Sequence, residues 1–374
     1  SAAVRSRYNY SRNFMRYLHQ PKSTNAVAGA TMATRVIAAL FATAAAFGCL
    51  PASASQSDVE NLALEHTKGL IAREVKLESA EYLGRKAVRL TRDGAGPGFA
   101  LVDGKEFQDG SIDVDVAIKL TGAAADLSGP GFGGVAFRAR RDASAFELFY
   151  VRPGNSSSHD QQMRNHSVQY SSEPHYDWYK LRYDWPWLYE AHAVIKENEW
   201  THLKIDVSGR TASIYVNGAV TPTLVVDGLK GEDLRGAVAL WGFPGQDTYF
   251  SNLFITHVTP QSIRNGSEFA GLWNVRLRTD RGIFKGVLKA ERIADKLSGT
   301  WTGDLGRAVP LAGQWRNGYV EFDLPVEMPN QPNVVKGHAH FAGWVDGETA
   351  SGTARVEGLA AGRWSAEVQR HSAE

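Results

Sequence analysis

From Ser55 onward this chain is a succession of apolar segments of five to nine residues, each closed by glycine, asparagine, aspartate or proline. Segments that short, rich in β-branched and aromatic residues, fit strands and leave too little length for a helix face to be buried. IDVDVAIKL at 112–120, GGVAFRAR at 133–140, AFELFYVR at 145–152, WTHLKIDVS at 200–208, GAVALW at 236–241 and YFSNLFIT at 249–256 are of this kind. In TASIYVNG, residues 211–218, Ile214 and Val216 share one face and Ser213 and Tyr215 the other, and Asn217-Gly218 supplies the turn of a hairpin. A helical period shows only at Asp58–Leu64 and at Gly231–Leu234. The expected fold class is therefore all-β, sheet packed on sheet, with helices as decoration.

At 374 residues and 43% hydrophobic content the chain can build two cores. The strand pattern breaks at VTPQSIRNGSEFAG, residues 258–271. Beyond it, about eight short glycine-ended segments carry Trp273, Trp301, Trp315, Trp344 and Trp364, a pattern suited to a small up-and-down β-barrel filled by rings. The reading is a jelly-roll sandwich over 55–260 followed by a barrel domain over 265–374.

Residues 32–54, MATRVIAALFATAAAFGCLPASA, have one basic residue, Arg35, then an apolar run from Val36 to Leu50 and the small residues Ala52, Ser53 and Ala54. This is the build of a secretory signal peptide cleaved after Ala54, and Pro51 ends the run short of the about 20 residues a spanning helix needs. A secreted or periplasmic location is expected, with no transmembrane helix in the mature chain. Lipid anchoring through Cys49 is the alternative. Residues 1–31 are read as a disordered arm or an upstream-start artefact. Cys49 is the only cysteine, so no disulfide framework is available.

Lys+Arg 41 against Asp+Glu 40, with no run of one sign, argues against a nucleic-acid partner. The eleven histidines include no H-E-x-x-H spacing, and His338 and His340 share a strand face with no third ligand nearby in sequence, so no metal or other cofactor is expected. Calcium remains open through loop carbonyls and aspartates such as Asp247. No G-x-S-x-G elbow is present.

The composition is 10% aromatic, yet Tyr170, Tyr176, Trp178, Tyr179, Tyr183, Trp185, Trp187 and Tyr189 fall within twenty residues. Flat rings cover the apolar face of a sugar, and planar polar groups satisfy its hydroxyls. The polar residues Arg164, Asn165, His166, Gln169, Arg182 and Glu190 lie among them, and Arg152 ends the preceding strand. His166 is the candidate general base. Glu147, mid-strand between Phe146 and Leu148, either meets solvent or lines a site with Arg138 or Arg152. Asp113 and Asp115 alternate with Ile112, Val114 and Val116 and are expected at solvent.

The DGSIDVDVAI strand, GFGGVAFRARRDASAFELFYVRP, WTHLKIDVSGRTASIYVNG and ALWGFPGQDTYFSNLFI together resemble the concanavalin A-like lectin/glucanase jelly roll over about residues 70–257. Within it the chain looks most like laminin-G-like and 3-keto-disaccharide hydrolase-like domains. LSGTW, GQW and GWVDGETASGT resemble a calycin or lipocalin-like barrel. The resemblance implies carbohydrate as the partner, held on a concave face by Arg138, Tyr150, Arg152, Arg164, Asn165, His166, Gln169, Tyr170, Trp178, Arg182, Tyr189 and Glu190. Two other readings follow from it: a glycoside hydrolase using Glu147, His166 or Glu190 as acid and base, and a protein-binding adhesion module. Laminarinase-type relatives carry Glu-x-Asp-x-x-Glu on one strand, and Asp113 and Asp115 have no such glutamates, so that mechanism is disfavoured.

Overall fold

The computed structural model describes residues 58–369, apart from 93, 123–128, 265–266, 331–332 and 359; for 327–330 and 333–335 it describes the backbone only. The arm at 1–31, the signal peptide at 32–54 and Cys49 lie outside the described residues. No helix among the described residues is long and apolar enough to cross a membrane.

Two antiparallel sheets and a closed barrel account for the described chain. The first sheet runs β13 (Leu224–Asp227), β12 (Thr211–Val216), β11 (Thr201–Ser208), β6 (Gly110–Leu120), β15 (Gln246–His257), β4 (Arg85–Thr91) and β3 (Lys76–Tyr82), with β1 (Asp58–Leu62) also paired to β15. The second runs β10 (Glu190–Ala191), β9 (Val168–Glu173), β8 (Phe146–Val151), β7 (Gly133–Ala139), β14 (Ala237–Gly242), β5 (Gly98–Val102) and β2 (Leu70–Arg73). Strand alternation fills the space between them. Ile112, Val114 and Val116 of the first sheet and Val135, Phe137, Phe149 and Val151 of the second are all at most 1% exposed.

The same alternation turns Asp113 and Asp115 to the outside of the first sheet. There Asp115 meets Arg85 at 2.8 Å and Nδ1 of His202, its direct cross-strand partner, at 3.0 Å. Asn217 and Gly218 both have positive φ, and Ile214 opposes Leu224 in the hairpin that TASIYVNG begins.

Two local expectations change. Asp58–Leu62, read as helical, is a strand whose five residues pair with Leu253–His257. Its apolar spacing suits either structure, and a partner strand decides. Gly231–Leu234 forms no helix. Helices occur instead at Pro153–Ser156, Gln161–Asn165 and Trp178–Asp184, all in the connections flanking β9.

The barrel is β16 (Gly271–Thr279), β17 (Gly282–Ile293), β18 (Lys296–Gly303), β19 (Gly306–Arg316), β20 (Tyr319–Asn330), β21 (Asn333–Asp346), β22 (Thr349–Val356) and β23 (Ala360–Val368), paired in that order and closed by β16 against β23. Trp273, Trp301 and Trp364 fill it with Phe322 and Phe341, whose rings stack at 5.0 Å. Trp344 belongs instead to the sandwich-side cluster.

Gly286 makes room for Trp301, since a Cβ built there would lie 2.5 Å from Cε2 of the indole. Gly286→Ala is expected to destabilise the barrel by about 1–3 kcal/mol through overpacking. A lowered urea midpoint at unchanged slope is the readout; an unchanged midpoint would mean the ring steps aside.

The sandwich meets the barrel through a buried polar seam. Lys230, 2% exposed, donates to Oη of Tyr319 at 3.0 Å and Oγ1 of Thr353 at 3.4 Å, and its ammonium lies 4.2 Å from the Trp185 ring centroid. Trp344 donates from Nε1 to the Leu229 carbonyl at 2.5 Å, and the hydroxyls of Tyr189 and Thr353 lie 3.2 Å apart.

Candidate functional site

In FELFYV, Phe149 and Val151 enter the core, so Leu148, Tyr150 and the following Arg152 lie on the outer face of the second sheet, where all three are themselves buried, Tyr150 at 1% exposed. The register then lines up one rank across six strands: Phe99 opposes Trp241, Trp241 opposes Gly134, Gly134 opposes Tyr150, Tyr150 opposes Gln169, and Gln169 opposes Glu190. Gly134 is the gap in the rank. A Cβ there would stand 2.6 Å from both Cα and Cβ of Tyr150, and without one the rings of Tyr150 and Trp241 approach to 5.1 Å. Phe132 and Phe243 extend this floor, each in ring contact with Trp241.

Polar groups cluster at the Gln169–Glu190 end. Arg152 donates from Nη2 to the Tyr150 hydroxyl at 2.6 Å and to Oε1 of Gln169 at 3.2 Å, and from Nη1 to the His166 carbonyl at 3.3 Å. Glu190 sits on a two-residue edge strand and takes a fork from Arg182, whose Nε lies 3.0 Å from Oε1 and 3.1 Å from Oε2, with Nη2 also on Oε1. Nδ1 of His166 lies 2.7 Å from Oε2 of the same carboxylate. Burial works to raise the Glu190 pKa, but hydrogen bonds from His166 and Arg182 and the charges of Arg182 and Arg152 outweigh it and hold the carboxyl below its ordinary range.

The helix Trp178–Asp184 delivers two of these groups. Asp177 caps it, accepting the Lys180 N–H at 2.7 Å. Trp178 and Arg182 are four residues apart on one face, with the Arg182 guanidinium 4.7 Å from the indole centroid and that of Arg152 5.8 Å away. Lys180 and Asp184, also four apart and 2.6 Å from each other, turn toward the barrel, where Lys180 lies 3.7 Å from Glu321.

Tyr150, Arg152, His166, Gln169, Trp178, Arg182 and Glu190 are thus brought together. Arg138, Glu147, Tyr170 and Tyr189 are not on this face. Glu147 and Tyr170 have the parity of Phe149 and point between the sheets, where Glu147 accepts the Tyr170 hydroxyl at 2.5 Å and the Gly231 N–H at 2.8 Å. Burial raises the Glu147 pKa against those bonds and the charge of Arg138. Arg138 pairs with Asp109 at 2.9 Å, and Tyr189 enters the barrel seam. Arg164 and Asn165 fold back on their own loop, Arg164 donating to the carbonyls of Ser158 and His159 and Asn165 accepting from Gln161. Of the eight crowded rings, Tyr170, Tyr176, Trp185 and Tyr189 are buried, Tyr179, Tyr183 and Trp187 are exposed, and Trp178 is half-buried.

Trp241, Phe132 and Phe243 escaped the sequence reading. Their signal was present as rings set among glycines in GFGG and WGFPG, the composition of strand ends where backbone and ligand approach closely. The Trp241 indole N–H meets no acceptor among the described residues.

For a cation, ligand atoms of Asp184, Glu321 and His340 lie within 4.8 Å of one another, but Lys180 already bonds Asp184 there. Asp247 is committed to Arg89 at 2.9 Å.

Residues 74–256 match the profile of the 3-keto-alpha-glucoside-1,2-lyase-like domain family. No curated protein matches the chain. Among solved structures, the carbohydrate-binding module CBM66 from Bacillus subtilis is 19% identical with a TM-score of 0.35, covering 50% of this chain and 95% of its own. A Bacillus subtilis protein with a galectin-like fold is 10% identical (TM-score 0.37; 54% of this chain, 96% of that one). The GlcNAcα1-4Gal-releasing endo-β-galactosidase of Clostridium perfringens is 8% identical (TM-score 0.31; 86% and 98%). Likenesses at this level carry no argument about activity.

Proposed function

We propose that this protein is exported and recognises carbohydrate on the outer face of its second sheet. One observation carries the reading: the cross-strand rank from Trp241 through Tyr150 and Gln169, buried along its length, leads to Glu190 at the sheet edge, where the half-buried ring of Trp178, a carboxylate and two guanidiniums gather. A pyranose has the matching surface, an apolar ring face bordered by hydroxyls, each of which both donates and accepts. The profile match over 74–256 supports a sugar ligand, and the signal-peptide pattern of residues 32–54 supports export.

The test is a glycan array with the full chain, followed by calorimetry on the strongest glycan. Trp178→Ala removes the ring that both arginines lie against and is expected to weaken binding about tenfold, or about 1.4 kcal/mol. Unchanged affinity in that variant would remove the Trp178 end of the site.

A second reading rests on the His166–Glu190 pair. With Nδ1 beside the Glu190 carboxylate at 2.7 Å, the ring keeps Nε2 for a substrate proton. In a glycoside with a carbonyl at C3, the hydrogen on C2 is acidic. A base that removes it leaves an enolate that can expel the oxygen on C1, and this elimination is the one the family description names. Arg152 suits the enolate oxygen. Under this reading His166→Asn keeps affinity within a few-fold and loses turnover of a 3-keto-glucoside by at least 100-fold; equal turnover in both proteins returns the site to binding alone.

A further inference from the structure

Between the helix Trp178–Asp184 and β10 the chain makes a four-residue turn, Trp185-Pro186-Trp187-Leu188, closed by the Leu188 N–H on the Trp185 carbonyl at 3.3 Å. Proline suits the second position of such a turn, and the third takes a positive φ, which favours glycine or asparagine. Here the third residue is Trp187, with φ of 72° and 62% of its surface exposed. A bulky residue in the left-handed region is a backbone outlier, and packing within the chain does not compensate, because the ring is not buried. Its neighbours differ: Trp185 is 0% exposed and Tyr189 2%.

The Trp187 ring also has a defined place. Its plane is within 10° of the His166 imidazole, centroids 6.3 Å apart, and Nδ1 of His166 lies 2.7 Å from the carboxylate of Glu190 at the end of the outer-face rank. The exposed ring therefore stands beside the polar end of the rank. Tyr183, 67% exposed, and Tyr179, 53% exposed, lie on the same insert.

We propose that Trp187 is the stacking platform of a second subsite, which takes the ring attached to the recognised sugar, either a further pyranose or an aromatic aglycone. The proposal rests on the carbohydrate reading above and narrows it: the ligand spans at least two rings, one against Trp178 at the polar end and one against Trp187. A flat apolar ring next to a hydrogen-bonding cluster fits the face of a second sugar, and the turn holds it outward at the expense of backbone strain.

The experiment compares the full chain with Trp187→Ala and Trp187→Gly on an array of mono-, di- and oligosaccharides and 4-nitrophenyl glycosides. For glycans of two or more rings and for nitrophenyl glycosides, both variants are expected to bind about tenfold more weakly. Binding of the matching monosaccharide should stay within twofold. Trp187→Gly should melt no lower than the wild type, which separates lost affinity from lost fold. Equal weakening for one-ring and two-ring ligands, or none for either, overturns the subsite and leaves the carbohydrate site standing. Absence of any glycan binding by the wild type overturns both.

Discussion

Glu190→Ala is expected to weaken glycan binding by about two orders of magnitude, the largest loss of any single change on the outer face. The alanine deletes the acceptor of the Arg182 fork and of the His166 Nδ1 contact together, leaving a guanidinium and an imidazole without the group that orients them. Truncating one partner of a buried charged pair commonly costs about 2–5 kcal/mol, and 100-fold corresponds to about 2.7 kcal/mol. Glu190→Gln keeps the shape and one acceptor and should fall between. The pH profile has a definite sign. The carboxyl pKa is depressed in the folded protein, so its contribution is complete above the unfolded value of about 4.3 and is lost as pH falls through the depressed value. Binding should therefore be insensitive to this group from pH 7 to 5 and weaken only as pH falls through the depressed value. Calorimetry on the best array glycan decides, and a Glu190→Ala protein that binds within twofold of wild type would sink the assignment of the polar end.

The second large effect concerns the seam between sandwich and barrel. Burial pushes the Lys230 ammonium down to about 7, and the repulsion of Lys180 adds to that, against the attraction of Glu321, Asp184 and Glu147. A base whose folded pKa lies below its unfolded value burdens the fold while it is charged in both states. The burden is complete below about pH 7 and is relieved as pH rises toward the unfolded 10.4. The drop from 10.5 to about 7 has a ceiling of about 5 kcal/mol. Lys230→Met removes the charge and keeps the length. It also leaves the hydroxyls of Tyr319 and Thr353 without the ammonium, at about 1–2 kcal/mol each. The expected result is a variant more stable than wild type by about 2 kcal/mol at pH 6, with the gain gone or reversed by pH 10. His340, on β21, runs the other way. Burial lowers its pKa, but Asp323 and Glu321 raise it to about 9, so its stabilisation is full below about 6.5 and is lost as pH passes 9. Only the difference between variant and wild type across pH isolates Lys230. Urea midpoints in both buffers provide it, and a pH-independent difference would refute the buried-charge account.

That seam also links the barrel to the outer-face cluster. Arg182 and Trp178 leave one face of their helix for the site, while Lys180 and Asp184 leave the other for the barrel side. The barrel thus fixes the back of the element whose front carries two of the seven clustered side chains.

The all-β class was readable because strand alternation is local: Ile112, Val114 and Val116 could share a buried face only as a strand, and Asn217-Gly218 could only turn. Alternation also separates Glu147 from Tyr150 in sequence, one residue of each parity. It does not say which parity faces the core. That is why Tyr170, Arg138 and Tyr189 looked as suitable for a sugar as Arg152 and Gln169 did, and Glu147 as suitable for an acid or base, although they face inward. The helical reading of Asp58–Leu64 failed for a related reason, since only the presence of β15 alongside makes those residues a strand.

The amino-acid order alone determined the all-β class, the Asn217-Gly218 turn and the gathering of rings and charges between 164 and 190. The assembled molecule decided which of those groups meet. Trp241 and Glu190 stand in one rank because hydrogen-bond register carries position across strands from 99 to 241, and register is set by whole-sheet packing, to which no single segment has access.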